Sequence, residues 1–444
     1  MSIAIILGSV AAVGTALSVI FLPDIIVKGK KIPFFWVISF ITAILAVVLG
    51  AISAGDVWSG LTADMWSMLE GRASVNPIKI LVLFFSMTAI SVFLDETGAL
   101  EYLASKSVKL AGKSQKRLFF TVFFVVSLLT VFTSNDVVIL TFTPFLCYFC
   151  KNAKVSPMPY VVTEFVAANT FSMIFIIGNP TNIYLAESYG MTFFEYFSRM
   201  AIPSVLGGAA ALGTLYLIFR KQLSTPLSEE YFSITRPSEP RLAIISAVIL
   251  VACLVGLVTS DYVGIESWAV ALVAMIILLI ISGIYYIFAK KKPSEIIGTL
   301  KRLPYQLVPF VLAMFVIVLT LKNNGVTAAI SDLLSDVPEQ LDILVYGTSS
   351  AVIANLVNNI PMSVFYSAIL ENSSPYAVYA AVVGSNVGAF FTPVGALAGI
   401  MFTGLLKNLD VKMSFFDFVK YGTAVAVPTL LASLGGLYIS YLIF

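Results

Sequence analysis

The chain has 444 residues, of which 59% are hydrophobic and only 11% are charged, and its mean hydropathy is +0.98. Soluble domains carry about a quarter charged residues, so this composition excludes a soluble protein and predicts an all-α polytopic membrane protein. A net charge of +2 without a basic, aromatic-rich patch gives no support to nucleic-acid binding, and the lack of histidine excludes His-based zinc sites and His acid–base catalysis.

About ten apolar segments are long enough to span a bilayer. The first lacks the basic n-region of a signal peptide, so residues 1–32 are expected to form an extra N-terminal transmembrane helix. In chain order, the ten predicted spans are residues 3–22, 33–50, 78–94, 160–186, 196–219, 242–260, 268–289, 304–321, 376–405 and 421–444.

Two further apolar blocks, residues 118–150 and 341–370, are each broken near the centre by polar residues. The breaks are Thr133–Asp136 in the first block and Asn358–Asn359 in the second. The blocks are predicted to be re-entrant hairpins, which enter the bilayer and leave on the same side. Each is followed by a helix that polar residues, glycine and proline interrupt, over residues 158–187 and 375–405.

The basic residues support this arrangement. With the N-terminus outside, 22 of the 26 Lys and Arg residues fall on the cytoplasmic side, and only Arg72, Lys79, Arg199 and Lys322 lie near the other. The positive-inside rule is therefore satisfied, which predicts an inner (plasma) membrane protein with both termini outside. Residues 101–117 are expected to form either an interfacial amphipathic helix or a solvated loop.

Two polar patterns recur along the chain. Asn135-Asp136 aligns with Asn358-Asn359 at an offset of 223 residues, and Asn169 aligns with Asn386 at an offset of 217. An odd number of crossings separates the two halves, so they are predicted to be inverted repeats, over residues 33–219 and 265–444, joined by a linker and a connecting helix over residues 220–264. Inverted repeats with broken helices at mid-membrane are typical of secondary transporters.

The breaks supply the candidate site residues, because backbone at this depth leaves helical geometry only where it is buried or lines a cavity. Only Asp136 and Glu164 place an acid at hydrocarbon depth, which makes both functional candidates. The candidate coupling-ion residues are Asp136, Asn135, Asn169, Gly178 and Glu164. The candidate substrate-binding residues are Ser134, Asn135, Asn169, Thr170, Asn179, Thr181, Asn182, Asn358, Asn359, Asn386 and Thr392.

Each of these features also has a structural interpretation. Polar side chains join transmembrane helices, and Glu164 can simply reach the inner interface. Cys147 and Cys150 have the C-x-x-C spacing of a redox or metal pair, but an apolar helical pattern favours small buried side chains, and no metal site is predicted.

The motifs resemble those of the ion transporter superfamily. TSNDVVILTFTP and VNNIP resemble the two hairpins of ArsB-type arsenite pumps, as does GSNVGAFFTPVG, while EFVAANTFSMIFIIGNPTNI is similar to a stretch of the P protein and NhaD-like group. The sodium-coupled dicarboxylate transporters are more distant relatives. The resemblance implies that Asn135, Asp136, Asn169, Asn358, Asn359 and Asn386 line the site.

Departures from these patterns bear on the substrate. Asn169 and Asn386 stand where arsenite pumps carry an acid, and Asn179 replaces the acid of the G-D-P-P-N pattern. The second hairpin also lacks the S-N-T of the dicarboxylate carriers.

The favoured function is therefore an ion-coupled secondary transporter of a small anion or oxyanion, ArsB-like, with sodium or a proton as coupling ion and no other cofactor. The alternatives are a sodium/proton antiporter, a sodium-coupled dicarboxylate transporter and an ion channel. An enzyme is disfavoured, because the basic clusters lie in cytoplasmic loops. No P-loop motif is present; a homodimer and a separate ATPase subunit are left open.

Overall fold

A computed structural model describes residues 3–21, 24–27, 30–63, 76–227, 236–335, 338–370 and 373–444. Arg72 and the middle of the predicted linker, residues 228–235, lie outside the described residues. Within these ranges the protein is helical except for one antiparallel hairpin, in which β1 (Asp24–Val27) pairs with β2 (Lys30–Pro33). Residues 1–32 are predicted to form one transmembrane helix. The structure instead has this β-hairpin at the end of that segment, after the helical part.

The first half of the chain contains ten helices among the described residues. They are α1 (Ile3–Phe21), α2 (Phe34–Val48), α3 (Ala54–Thr62), α4 (Pro77–Glu96), α5 (Ala99–Ala111), α6 (Gln115–Phe132), α7 (Asn135–Asn152), α8 (Met158–Phe171), α9 (Pro180–Ser188) and α10 (Phe193–Phe219). Their starts carry expected signals: Asn76 caps α4 and Thr192 caps α10, each with a side-chain oxygen that accepts backbone N–H bonds.

The second half contains ten more helices among the described residues. They are α11 (Pro240–Val263), α12 (Ser267–Ala289), α13 (Ser294–Arg302), α14 (Leu307–Asn323), α15 (Val326–Ser335), α16 (Glu339–Val357), α17 (Asn359–Ile369), α18 (Pro375–Gly388), α19 (Leu397–Asn408) and α20 (Phe415–Ile443). Ser414 and Asp417 form a reciprocal capping box at the start of α20.

Seven helical segments within the described residues are long and apolar enough to cross a membrane, and three shorter apolar helices, Ile3–Thr15, Phe34–Val48 and Leu341–Val357, accompany them. The chain is thus an all-helical, multi-pass membrane protein. The seven include Gln115–Phe132, the first arm of the first predicted hairpin, whose re-entrant course stays a prediction. Residues 99–111 form a helix, and the segment 290–302, expected to be a basic loop, contains α13.

Helix interruptions occur at the predicted positions. Helix α6 ends at Phe132 and α7 begins at Asn135, while α16 and α17 meet at Asn358. The segment between α8 and α9 contains a short 3-10 turn (Ile176–Gly178), and the segment between α18 and α19 contains another (Pro393–Gly395).

The packing of the second half repeats that of the first. Helix α6 packs on α8 and α16 packs on α18, while α10 and α20 pack against each other. Between the halves, α7 packs on α19 and α17 packs on α9. The second arm after each break therefore lies against the second part of the other half's interrupted helix, which brings the four breaks close together.

Candidate functional site

The first break places two amides in contact. The Asn135 side-chain Nδ2 donates to Asn169 Oδ1 at 3.0 Å, and Asn135 Oδ1 accepts the backbone N–H of Asp136 at 2.9 Å. Asn169 is fully buried and donates to the Phe165 carbonyl one turn earlier on α8. The start of α7 is thereby fixed to the end of α8.

The segment between α8 and α9 folds back on itself. The Asn182 side-chain Nδ2 donates to the Ser172 carbonyl at 2.8 Å, and Asn179 Oδ1 accepts the backbone N–H of Thr181 at 3.2 Å to cap α9. A side chain at Gly178 would meet the Ser172 carbonyl oxygen, since a Cβ there would lie 2.1 Å from it. Only glycine fits this close backbone approach.

Asn386 of α18 joins this segment from the other half. Its Oδ1 accepts from Ser172 Oγ at 2.9 Å and from Asn179 Nδ2 at 3.1 Å, and its Nδ2 donates to Asn182 Oδ1 at 2.7 Å. Ser385 Oγ lies 3.0 Å from Thr181 Oγ1. A buried amide satisfied in this way is a rigid joint between the two interrupted helices.

The second break has a different backbone. Asn358 adopts φ +76° and ψ 152°, a region that residues other than glycine rarely occupy. Its Nδ2 donates to the Val394 carbonyl at 2.9 Å, and its Oδ1 accepts the backbone N–H of Ile360 at 3.3 Å. These two bonds hold the strained residue and connect the start of α17 to the interruption before α19.

All four breaks meet at one cavity of about 10 Å³, room for roughly one water molecule. It is lined by residues that begin α7, α9, α17 and α19, namely Asn135, Asp136, Asn179, Pro180, Asn359, Ile360, Ala396, Leu397 and Ala398. Four helix N-termini therefore converge here, and each contributes partial positive charge. We call this space the tip cavity.

The described residues that line the tip cavity include one acidic side chain and no basic one. Asp136 is partly exposed to it, and no donor or cation contacts the Asp136 carboxylate within the described part of the chain. Asn359 is buried, and its Oδ1 has no hydrogen-bond partner among the described residues. No Lys or Arg is among the described residues that line the cavity. The site offers the partial positive charge of four helix ends and acceptor oxygens from the side chains of Asp136 and Asn359.

Several predicted site residues lie outside the tip cavity. Thr170 donates to the Val166 carbonyl of its own helix, and Thr392 donates to Asn355 Oδ1 at 2.7 Å. Ser134 is buried immediately before α7 and makes no side-chain cap bond. Glu164 is fully buried and contacts Thr143 rather than the residues of the tip cavity. Cys147 and Cys150 are free and buried, in agreement with the structural interpretation of their spacing.

The structure also identifies residues that the sequence analysis missed. Ser172 bridges Asn386 and the Asn169 carbonyl, and Asn355 donates to the Gly388 carbonyl at 2.7 Å. Each had a signal, because Ser172 follows Asn169 by three residues, on the same helix face, and Asn355 interrupts an apolar run. The contribution of Ala396 and Ala398 had none, since apolar residues supply only backbone there.

A second, much larger cavity of about 980 Å³ follows one side of α7. Helix α7 lines it with one face, whose residues recur about once per helical turn, namely Leu140, Thr141, Pro144, Phe145, Tyr148, Phe149 and Asn152. On the opposite wall Arg302 pairs with Asp95 and Glu96, with N–O distances of 2.7 Å for both. Because Asp136 lies one turn before Leu140, this α7 cavity extends from the region of the tip cavity toward the end of α7.

A family model described as CitMHS, citrate transporter, matches residues 26–381. The chain belongs to the CitMHS family. This membership confirms the resemblance to the ion transporter superfamily and indicates a membrane transporter rather than an enzyme.

Relatives of this CitMHS member carry a more specific name. It is 27% identical over 417 residues to the arsenical pump membrane protein of Yersinia enterocolitica, with 89% of this chain and 91% of the relative covered. It is 26% identical over 415 residues to the arsenical pump membrane protein of Escherichia coli K12, with the same shares covered.

A solved structure shares the fold. The YdaH transporter of Alcanivorax borkumensis superposes with a TM-score of 0.56 at 14% identity and covers 99% of this chain and 98% of its own. At this identity the likeness concerns the fold alone.

Proposed function

We propose that this chain is an ion-coupled secondary transporter of a small oxyanion or oxyacid that works by alternating access. One observation carries the proposal. Four helix N-termini, two from each half, converge on one small cavity that contains a carboxylate without a partner among the described residues, that of Asp136. Transporters place substrate and coupling-ion sites at such converging half-helices.

The chemistry of the tip cavity favours a small, oxygen-rich substrate. The positive helix ends attract substrate oxygens, whereas the carboxylate of Asp136 and the free Oδ1 of Asn359 accept from hydroxyl groups. An arsenite-type oxyacid supplies both kinds of group. A tricarboxylate such as citrate carries more negative charge than the dipoles of helix ends balance beside Asp136, so the relatives named arsenical pump are the better guide.

The proposed substrate-binding residues are those of the four breaks. Asn359 and Asn179 line the cavity directly; Asn358, Asn386, Asn182 and Thr181 hold the helix starts in place. Asp136 takes the coupling ion, sodium or a proton, with Asn135, Asn169 and Gly178 holding the surrounding backbone.

The duplicated packing supports the predicted inverted repeats and re-entrant hairpins. Helices α6 and α7 relate to α8 and α9 as α16 and α17 relate to α18 and α19, and each second arm packs across on the other half. In this arrangement one hairpin opens to the cytoplasm and the other to the outside, in the inner membrane, with both termini outside. Substrate would then reach the tip cavity from one face of the membrane and then from the other.

The volumes of the two cavities support a cycle with closed and open states. A cavity of about 10 Å³ admits no oxyacid until α7, α17 or α19 moves. The α7 cavity, of about 980 Å³, gives α7 room to move on the predicted cytoplasmic side. Opening there would connect Asp136 to the cytoplasm.

The test is flux in proteoliposomes. Purified protein is reconstituted and the uptake of arsenite, succinate and citrate is measured under imposed sodium or proton gradients. We expect saturable, gradient-driven transport of arsenite, strongly reduced in Asp136→Asn. The matched control is Asp56→Asn, the same substitution at an exposed carboxylate of α3. If Asp136→Asn kept gradient-driven uptake at the rate of the unmodified protein, the coupling role would be wrong.

A sodium/proton antiporter is the second candidate, and the volume of the tip cavity favours it. A space for roughly one water molecule beside a carboxylate also suits a single dehydrated cation. This function predicts proton release on addition of sodium in the absence of any oxyacid, with no uptake of arsenite or succinate. Thermal stabilisation by sodium alone, and not by oxyacids, would favour it further.

A further inference from the structure

A second carboxyl group is buried away from the tip cavity. Glu164 of α8 has no exposed surface, and its Oε2 accepts a hydrogen bond from Thr143 Oγ1 of α7 at 2.8 Å. Its other oxygen, Oε1, has no partner among the described residues. A buried ionised carboxylate requires a cation or several donors, and this one has a single neutral donor.

Glu164 is separate from the substrate site. It precedes Asn169 by five residues on α8, about 7.5 Å along the helix axis, and Thr143 follows Asp136 by seven residues on α7, about 10 Å. Glu164 and Thr143 do not line the tip cavity. The interface of α7 and α8 therefore contains two polar levels, Asn135–Asn169 at the tip and Thr143–Glu164 nearer the predicted cytoplasmic end.

The surroundings of Glu164 favour a proton over a metal ion. Thr143 is the one side chain that offers oxygen to it within the described chain, while hard cations such as Ca²⁺ take about six oxygen ligands. Cys147 is the titratable group of α7 that faces Glu164; Cys150 and Tyr160 lie nearer the predicted cytoplasmic end. Other charged residues of the packed helices α6 and α10 lie in their first two turns, namely Lys116, Arg117, Glu195 and Arg199.

We propose that Glu164 is a second coupling site, which binds one proton per transport cycle, and that Thr143 positions its carboxyl group. This inference rests on the proposed transport function. The carboxylate takes the proton from water to become a neutral acid, and returns it to water when the interface opens. Helix α7 carries both Asp136 and Thr143, so a movement of α7 that widens the tip cavity also separates Thr143 from Glu164. Proton release is thereby linked to opening of the substrate site.

Infrared spectroscopy tests proton binding without any substrate. In the difference spectrum between the purified unmodified protein and Glu164→Gln, the carbonyl band of one protonated carboxyl group, that of Glu164, should be present. It should shift in Thr143→Val, which removes the single hydrogen bond, and remain unchanged in Thr163→Val, since Thr163 donates to the Pro159 carbonyl of its own helix. A difference spectrum without a protonated-carboxyl band from Glu164 at any pH overturns the proposal.

Flux measurements test the coupling. With one proton fewer per cycle, Glu164→Gln should lose about tenfold of the maximal accumulation ratio for each pH unit across the membrane. Thr143→Val should weaken the pH dependence, and Thr163→Val should not. An unchanged accumulation ratio in Glu164→Gln would make Glu164 a link between helices only. If the infrared band behaves as expected but no oxyacid is transported by the unmodified protein, the proposed function fails and proton binding at Glu164 stands.

Discussion

The two break points that meet at the tip cavity have similar sequences and different physical properties. The first, at Asn135-Asp136, has an ordinary backbone and carries a charge; the second, at Asn358-Asn359, is neutral and has a strained backbone. Each asparagine side chain at a break holds a neighbouring segment, Asn135 through Asn169 and Asn358 through the Val394 carbonyl.

This difference separates a shared framework from a local function. The framework is common to both halves: an asparagine, a helix N-terminus and a contact with an interrupted helix. The carboxylate of Asp136 is present at the first break only, so of the two breaks the proposed coupling role belongs to the first. The second break contributes the start of helix α17 and one acceptor oxygen, that of Asn359.

Moving the carboxylate from one break to the other gives the largest expected effect. Asp136→Asn should reduce gradient-driven uptake by roughly 10- to 100-fold, because a lost interaction with a charged group is worth about 1.5–3 kcal/mol. Adding Asn359→Asp should restore part of the coupling, since both positions line the same cavity. Flux in proteoliposomes checks both variants.

The single variant Asn359→Asp is the control for this exchange. It places two carboxylates at one small cavity, so it should reduce transport through like-charge repulsion. If the double variant is no better than Asp136→Asn alone, coupling depends on the particular position of Asp136 and not on charge in the cavity.

The interrupted helices differ in a second way, which stability measurements can detect. Asn386 makes four side-chain hydrogen bonds, three of them to residues of the first half, whereas Asn169 makes two. Asn386→Ala should therefore cost about 2 kcal/mol more unfolding free energy than Asn169→Ala, at about 1 kcal/mol per bond. Both substitutions remove the same atoms from fully buried positions, so the cavity costs match.

Unfolding of the two variants in detergent provides the measurement. Equal losses of stability would mean that the Asn386 network is not the joint between the halves. A larger loss for Asn169→Ala would place that joint at the first break instead.

The positions of the breaks could be predicted from the sequence, and their contacts could not. Polar residues such as Asn135 and Asn358 within apolar runs mark positions where a helix breaks or where a polar contact forms between helices. Whether Thr170 or Ser172 contacts Asn386 depends on which face of α8 meets α18. Only the packed structure gives that register.

Two other features were beyond sequence reasoning for physical reasons. The start of α19 contributes to the tip cavity through the backbone of Ala396–Ala398, and backbone N–H groups have no residue signature. The positive φ of Asn358 also has no signal, because asparagine is common at such breaks for its side-chain bonds alone. The sequence therefore indicated which polar side chains lie at the breaks, but not the contacts that they make or the backbone geometry there.

The smallest expected effect concerns the backbone of the two breaks. Asn358→Gly and Asn358→Ala lose the same two side-chain bonds, so their difference in stability isolates the backbone. Glycine accepts φ +76° and alanine does not, so the glycine variant should be more stable by about 1 kcal/mol. At Asn135, the first residue of α7, the order should reverse, because glycine is the poorer helix former by up to about 1 kcal/mol. Melting temperatures of the four variants decide it. Alanine and glycine variants of equal stability at Asn358 would show that this break relaxes to an ordinary backbone, and that the two tips differ in charge alone.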